Sequence, residues 1–376
     1  MLRGGIPLGK FFGISVRLHW SWFVVFALVT VAWANWYLPE SYDNWSTATY
    51  WAVGAGISVL LFASVLAHEL AHSLVAQAAG IRVRAITLFI LGGVSQLDQE
   101  PKKPGVEFRM AIAGPGTSII LGGIFWGIYF ATRYSSEPLS ELAFWSGYIN
   151  MGLAVFNMLP GFPLDGGRVL RSILWWRSGN LQRATRIAAT IGRGFGYLFI
   201  FGGILLILLD WRENLYSGLW IAAIGWILEN AAAGSYQQVV LQDQLRGHKI
   251  SDAMTRDCLV VSPGLTIEEL VNQYILASGR RCFPVVENGQ ALGLITMQNV
   301  KAVPREVRHR RTVMEAMTPM DKLKQVSPDE DLSTAMQLLT DEDASQLLVV
   351  ENNRIIGMVG RENLLSFIHT RAELRL

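Results

Sequence analysis

The sequence predicts a polytopic all-α membrane domain followed by a soluble α/β domain. Hydrophobic residues make up 51% of the 376 residues and charged residues 16%, against roughly 25% charged in typical soluble domains. Apolar runs long enough to cross about 30 Å of hydrocarbon recur up to residue 235. From about residue 248 the composition becomes polar and a sequence pattern repeats. The net charge of +2 is too small to indicate a nucleic-acid partner.

Six membrane spans are predicted, four strong and two interrupted by a charge. The strong candidates hold at most one charged residue and cover 18–39, 46–79, 110–132 and 142–164. The weaker candidates are 187–209, which contains Arg193, and 214–236, which contains Glu229. The apolar segment 86–99 is too short to cross a bilayer, so we expect a strand or a re-entrant hairpin there.

Positive charges concentrate on alternate loops between these spans. Those basic residues are Arg3, Lys10, Arg17, Arg82, Arg84, Lys102, Lys103, Arg168, Arg171, Arg177, Arg183 and Arg186. The positive-inside rule therefore predicts a multi-pass protein of the cell membrane with both termini in the cytoplasm. In that topology His68 and His72 lie in the cytoplasmic half of the second span, and Asp165 reaches the same depth after the fourth.

The motif "HELAH" places three ionisable groups inside an apolar helix. His68 and His72 are four residues apart, so both imidazoles point to one helix face, where neutral imidazoles suit zinc. Glu69 is adjacent and could act as general base toward a water at the metal. Histidines in a span can also hydrogen-bond across a bundle. Ionisable groups are costly in lipid, which favours the metal site.

A third zinc ligand is needed to complete such a site. Asp165 in "PGFPLDGG" is at a matching depth, and Glu229 is the other carboxylate in the spans. The prolines of this motif break a helix and its glycines permit close backbone approach, as expected for backbone lining a polar cavity. An ordinary helix end at the membrane surface is the alternative interpretation.

"HELAH" together with "NMLPGFPLDGGR" resembles the paired signatures of the site-2 protease family of intramembrane zinc metalloproteases. The resemblance implies one zinc per chain held by His68, His72 and Asp165, with Glu69 as general base. It also implies that Asn157 holds substrate or stabilises the oxyanion, although an Asn could equally hydrogen-bond a broken helix. The segment "AGPGTS" at 113–118 resembles the family's small-residue motif, whose glycines are expected to let the third span pack closely.

The C-terminal third contains a repeat with an offset of 64 residues, as from Gly293 to Gly357. "CFPVVENGQALGLITMQNV" in the first copy parallels "QLLVVENNRIIGMVGRENL" in the second. The sequence pattern of each repeat predicts a strand, a helix, two strands joined by a tight turn, and a final helix. The repeat resembles a tandem pair of CBS domains, at 248–308 and 309–370, after a membrane domain at 1–235.

This second resemblance implies adenine-nucleotide binding or dimerisation. An acidic residue after Thr or Ser usually holds the ribose in such domains, but here Thr296 precedes Asn299, and Gly360 precedes Asn363. A dimerising or purely structural module therefore remains open beside a nucleotide site at Thr296, Asn299 and Asn363. The chain has 2 cysteines and no paired framework, as expected of a reduced cytosolic domain.

Together these features predict cleavage of a transmembrane segment of another membrane protein near the cytoplasmic face. Regulated intramembrane proteolysis of a membrane-bound anti-sigma or transcription factor is what the resemblance implies. A strand edge within 86–99 could receive the unwound substrate. The alternative from another class is a CBS-regulated channel or transporter, although the spans lack the internal repeats typical of transporters.

Overall fold

The computed structural model describes residues 5–90, 92–256, 258–288, 290–341, 346–351 and 354–374. The chain divides into two units, Met1–Gln237 and Gln238–Leu376. Long apolar helices dominate the first unit, and short strands and helices form the second.

The helices of the first unit run in chain order as the apolar pattern predicts. They are α1 (Trp20–Ala32), α2 (Leu38–Ser41), α3 (Thr47–Ala78), α4 (Pro104–Thr132), α5 (Glu137–Asn157), α6 (Asp165–Ser178), α7 (Leu181–Leu209) and α8 (Trp211–Leu245). A π-helical turn at Trp33–Tyr37 joins α1 to α2. Polar side chains cap two of the long helices: Ser46 accepts from the backbone N–H of Thr49 at the start of α3, and Asn180 caps α7.

Within the described residues, four helices are long and apolar enough to cross a membrane, namely Trp20–Ser41, Thr47–Ala78, Pro104–Thr132 and Leu181–Leu209. They correspond to the first, second, third and fifth predicted spans. The fourth predicted span, 142–164, overlaps α5, which ends at Asn157, and the helix break predicted at the prolines is present, because α6 begins only at Asp165. The prolines between them cannot continue a helix. The sixth predicted span lies within α8.

The first unit also contains a four-stranded sheet in the order β1–β2–β3–β4. Its strands are β1 (Ile6–Phe11), β2 (Ile14–Leu18), β3 (Val83–Phe89) and β4 (Gly92–Leu97). The predicted strand pair at 86–99 is thus present as the antiparallel hairpin β3–β4. The parallel pairing of β2 with β3 ties the N-terminus to this hairpin.

The sequence reasoning missed β1 and β2, because it treated the N-terminus only as a basic segment. The signal was the alternation of Ile14, Val16 and Leu18, which are all buried in one core with residues of α3 and β3. Phe12 and Gly13 both have positive φ, as a two-residue hairpin turn requires.

Among its described residues, the second unit contains two three-stranded sheets, and one strand of the second repeat, Thr318–Pro319, joins the sheet of the first. The first is β5 (Cys282–Glu287), β6 (Gln290–Thr296) and β7 (Thr318–Pro319); the second is β8 (Gln325–Val326), β9 (Gln346–Glu351) and β10 (Arg354–Gly360). Their helices are α9 (Ile250–Ala253), α10 (Ile267–Glu269), α11 (Leu276–Ser278), α12 (Met297–Ala302), α13 (Val313–Ala316), α14 (Leu332–Asp341) and α15 (Arg361–Leu374). A π-helical segment at Leu270–Ile275 joins α10 to α11.

Two apolar cores of this unit combine residues of both repeats. Phe283 and Ile295 of the first repeat pack with Val313 of the second. Val349 and Leu332 of the second repeat pack with Ile250 of the first. The strand pairs that the sequence predicts around "ENGQ" and "ENNR" are present. Their turn residues Gly289, Asn352 and Asn353 lie outside the described residues.

Candidate metal centre

His68, His72 and Asp165 lie together in the first unit. His68 and His72 occupy successive turns of α3 and are only 4% and 6% exposed. The Nε2 atoms of His68 and His72 are 3.0 and 3.1 Å from the same oxygen, Oδ2 of Asp165. One ligand atom from each of the three residues lies within 4.8 Å of the others. The structure therefore gathers the three predicted ligand residues at one point.

The other nitrogen of each imidazole is held from outside the cluster. Nδ1 of His72 is 2.6 Å from the backbone carbonyl of Met110, and Nδ1 of His68 is 2.9 Å from the Ser118 hydroxyl. A carbonyl only accepts, so Nδ1 of His72 donates and its Nε2 lone pair faces Asp165 when the ring is neutral. Such outer hydrogen bonds orient metal-ligating histidines. Two imidazoles and one carboxylate form a ligand set that fits a catalytic zinc.

Gly114 of α4 keeps the space beside these nitrogens open. A Cβ atom added at this position would lie 2.2 Å from Nε2 of His72 and 2.5 Å from Nε2 of His68. Only glycine leaves that volume free. The predicted close packing therefore occurs at Gly114, whereas a Cβ atom at Gly116 would meet no heavy atom within 4 Å, so the prediction is wrong there.

Glu69 follows His68 on α3, and β4 lies across it. Its Oε2 accepts a hydrogen bond of 2.8 Å from the Ser95 hydroxyl of β4. A Cβ atom at Gly93 of the same strand would come within 2.5 Å of Cγ of Glu69. Glu69 also interacts electrostatically with His68, His72 and Asp165. The candidate base is thus oriented by an edge strand of the sheet. Sequence reasoning did not identify Ser95 or Gly93, which carry no recognisable spacing.

Asp165 is the first residue of α6, and glycines fix its backbone. A Cβ atom at Gly166 would lie 2.3 Å from the Met158 carbonyl oxygen, and one at Gly167 would lie 2.3 Å from the carbonyl carbon of Gly161. The "DGG" sequence therefore allows α6 to begin directly against the preceding loop. This contact is the close backbone approach that the glycines predict.

The remaining predicted residues of the first unit make other contacts. Asn157 is the last residue of α5, and its Nδ2 donates to the Leu153 carbonyl one turn earlier at 2.9 Å. Glu229, the alternative third ligand, pairs instead with Arg193 at 2.8 Å. The two charges that interrupt the weaker predicted spans therefore compensate each other. Arg171, predicted as a loop charge, is buried.

The second unit contains a cleft of about 990 Å³ that is lined by two of the three predicted nucleotide residues. Thr296 and Asn363 line it, and the Thr296 hydroxyl donates to Oδ1 of Asn299 at 2.6 Å. The cleft is also lined by the basic side chains Arg280, Arg281, Lys301 and Arg361. Burial raises the pKa of the Cys282 thiol, another lining group, to about 12, so it stays protonated at neutral pH.

Comparison with known proteins gives the family. The model described as "Peptidase family M50" matches residues 56–135 and 127–199, and the model described as "CBS domain" matches 250–305 and 313–370. "Putative zinc metalloprotease sll0528" of Synechocystis sp. is 34% identical, with 99% of this chain and 97% of that protein covered.

Two further relatives agree. "Putative zinc metalloprotease Rip3" of Mycobacterium tuberculosis is 33% identical, with 95% of this chain and 91% of the relative covered. "Zinc metalloprotease MJ0392" of Methanocaldococcus jannaschii is 30% identical, with 98% of each covered. The chain therefore belongs to peptidase family M50, the site-2 protease family of zinc metalloendopeptidases, and carries a tandem pair of CBS domains.

Proposed function

We propose that this protein cuts a transmembrane segment of another membrane protein near the cytoplasmic face, with zinc held by His68, His72 and Asp165. The observation that carries this proposal is the approach of both Nε2 atoms to one Asp165 oxygen, at 3.0 and 3.1 Å, beside Glu69. Family membership favours proteolysis over the channel or transporter alternative.

Bound zinc polarises a carbonyl and lowers the pKa of water, which makes a hydroxide nucleophile available near neutral pH. Glu69 accepts the proton of the attacking water and later delivers it to the leaving amine nitrogen. The Ser95 hydroxyl holds Oε2 of Glu69 in place for both transfers. The Met110 carbonyl fixes the His72 ring so that Nε2 keeps its lone pair for the metal.

Asn157 is the proposed polar contact for the substrate or for the oxyanion of the tetrahedral intermediate. Its Nδ2 donates to the Leu153 carbonyl, so the side chain must turn before it can donate to substrate. Oxyanion donors contribute when they are aimed at developing charge, and Asn is among the residues that serve this role.

The substrate enters as an extended segment alongside β4. This strand lies at one edge of the sheet β1–β2–β3–β4, and its Ser95 contacts Glu69. An edge strand offers unpaired N–H and C=O groups to a strand that joins it. Six spans with both termini in the cytoplasm place this edge in the cytoplasmic leaflet. The substrate class is a membrane-held signalling protein, such as a membrane-bound anti-sigma or transcription factor.

The CBS pair is the proposed regulatory or dimerising module, in domains at 248–308 and 309–370. Four basic side chains line its cleft, which suits an anionic ligand such as an adenine nucleotide. Asn299 and Asn363 replace the acidic residues expected to hold a ribose, which weakens this assignment. The alternative role proposed for the CBS domains is to form a homodimer.

The decisive experiment measures zinc in the full-length protein, purified in detergent without chelator and resupplied with metal. We expect one zinc per chain in the wild type, less than one in Asp165→Ala, whose two histidines bind zinc only weakly, and no loss in Asp43→Ala, an exposed control. A wild type without zinc would overturn the proposal. Full zinc retention in Asp165→Ala would exclude Asp165 as a ligand.

Activity is then measured on a transmembrane reporter in proteoliposomes. We expect cleavage within the membrane segment, loss of cleavage on chelation, and recovery when zinc is restored. Cleavage that persists after complete removal of zinc would exclude the proposed mechanism.

A further inference from the structure

A buried ion pair in the first unit takes no part in the chemistry described above. Glu107 on α4 and Arg171 on α6 are only 1% and 4% exposed. Nε of Arg171 donates to Oε1 of Glu107 at 2.6 Å, and its terminal nitrogen contacts the same oxygen. Among the described residues, Oε2 of Glu107 has no hydrogen-bond partner. Apolar residues often replace a buried ion pair without loss of stability, so stability alone does not explain this one.

The ion pair joins the two helices that complete the metal centre. On α4, Glu107 is one turn before Met110, whose carbonyl holds the His72 ring, and Gly114 lies one turn further on. On α6, Arg171 follows the candidate ligand Asp165 by less than two turns. The relative position of α4 and α6 therefore sets where the Asp165 carboxylate meets the imidazoles.

Arg171 also contacts the loop that precedes α6. Its guanidinium lies 4.9 Å from the centre of the Phe162 ring, and a second carboxylate, that of Glu100, is 3.7 Å away. The start of α6 packs against this loop through Gly166 and Gly167. One side chain thus links α6 to α4 and to the loop between α5 and α6. A planar guanidinium can stack and form directional hydrogen bonds at once.

We propose that Glu107 and Arg171 are positioning residues that hold Asp165 at metal-binding distance from His68 and His72. This inference rests on the proposed function, because it takes Asp165 to be a zinc ligand. The competing explanation is a packing role, in which the ion pair only stabilises the fold. If the ion pair positions Asp165, its loss weakens zinc binding only while Asp165 is present. If it only stabilises the fold, its loss has the same effect on zinc binding with or without Asp165.

A double-mutant cycle on zinc affinity separates them. Zinc affinity is measured by competition with a chromophoric chelator on the full-length protein in detergent, for Glu107→Gln, Asp165→Ala and the double variant. We expect Glu107→Gln to weaken zinc binding roughly 10- to 100-fold, as for other supporting residues of metal sites. In the Asp165→Ala background, Glu107→Gln should cause no further loss.

Each outcome has a distinct meaning. Equal fold-losses from Glu107→Gln in both backgrounds would overturn the inference, because the ion pair would then act independently of Asp165. Full zinc affinity in Asp165→Ala would instead refute the proposed ligand set. Glu229→Gln is the matched control, because it breaks a carboxylate–arginine pair of this unit that does not contact the metal cluster. It should leave zinc affinity unchanged.

A variant that lacks both charges controls for the possibility that the single substitution simply unfolds the protein. Glu107→Leu combined with Arg171→Met leaves no unpaired buried charge, and its metal-free thermal unfolding should match that of the wild type within a few degrees. We expect its zinc affinity to stay roughly 10-fold or more below the wild type, because the directional contact is gone. Wild-type zinc affinity in this variant would assign the pair to packing and overturn the inference.

Discussion

The side chains predicted to bind zinc converge, whereas those predicted to bind a nucleotide pair with their neighbours. Both Nε2 atoms of the HELAH histidines approach Oδ2 of Asp165, while their Nδ1 atoms are tied elsewhere. In the CBS cleft, Oδ1 of Asn299 accepts from the hydroxyl and the N–H of Thr296. Nδ2 of Asn363 donates to the Thr255 hydroxyl at 2.8 Å.

The difference shows that a binding site is indicated by polar atoms that still lack a hydrogen-bond partner within the protein. Buried lone pairs that face one another are costly unless a cation or a proton lies between them. A side chain whose donors and acceptors are already satisfied at a helix start is stabilising the backbone instead. Four predictions test this comparison, and we give them from the largest expected effect to the smallest.

Substitution of the general base should have the largest effect. We expect Glu69→Gln to slow cleavage of the reporter by about 10²- to 10⁴-fold, because the amide cannot accept the proton of water. Zinc content should stay at the wild-type level, since the three ligands remain. Cleavage rates in proteoliposomes and metal analysis check both parts. Glu40→Gln is an exposed control that should cleave normally. A rate within a few-fold of wild type would remove Glu69 from the mechanism.

Filling the space at Gly114 should weaken zinc binding. The added methyl of Gly114→Ala would lie 2.2 Å from Nε2 of His72 and must displace an imidazole. We expect zinc affinity to fall roughly 10- to 100-fold in a chelator competition. Gly123→Ala on the same helix is the matched control, since its Cβ atom would meet no heavy atom within 4 Å. Equal zinc affinities in Gly114→Ala and Gly123→Ala would show that the space beside the two histidines is not needed for zinc binding.

An acidic side chain at position 299 should strengthen nucleotide binding by the CBS pair. We expect Asn299→Asp to raise the affinity for AMP by roughly 10-fold, because a charged acceptor forms stronger hydrogen bonds to ribose hydroxyls. Titration calorimetry on the full-length protein measures this change. Gln298→Glu adds the same charge at a neighbouring lining position and should have less effect. Tight AMP binding by the wild type would contradict the idea that Asn299 is already satisfied.

Removal of the Thr296 cap should have the smallest effect. The Thr296 hydroxyl accepts from the N–H of Asn299 in a capping box at the start of α12. We expect Thr296→Ala to lower the free energy of unfolding of the second unit by about 1 kcal/mol. The corresponding fall in its melting temperature is roughly 2–4 °C by calorimetry. Thr296→Ser keeps the hydroxyl and should melt like the wild type. Equal melting of all three proteins would show that the pairing adds no stability.

Local patterns predicted much of this protein. Apolar runs located the long helices because lipid requires each spanning segment to satisfy its own backbone hydrogen bonds. The spacing of His68 and His72 placed both rings on one helix face, since helical geometry is fixed by the chain itself. The 64-residue offset located both CBS repeats for a similar reason, because each copy carries the same local pattern of apolar strand residues.

Only the tertiary structure could reveal groups that act through distant partners. The N-terminal hairpin of β1 and β2 is held in place because β2 pairs with β3, which follows α1, α2 and α3 in the chain. Glu107 and Arg171 are 64 residues apart, and Arg171 looked like one more basic loop residue until its burial was visible. Ser95 and Met110 belong to no recognisable motif, and the motif around Gly114 predicted close packing but not its contact with the imidazoles. The sequence by itself determined which residues could bind zinc, because that depends on side-chain type and helical spacing. The tertiary structure decided which groups orient them, because those contacts depend on how separate helices and strands pack.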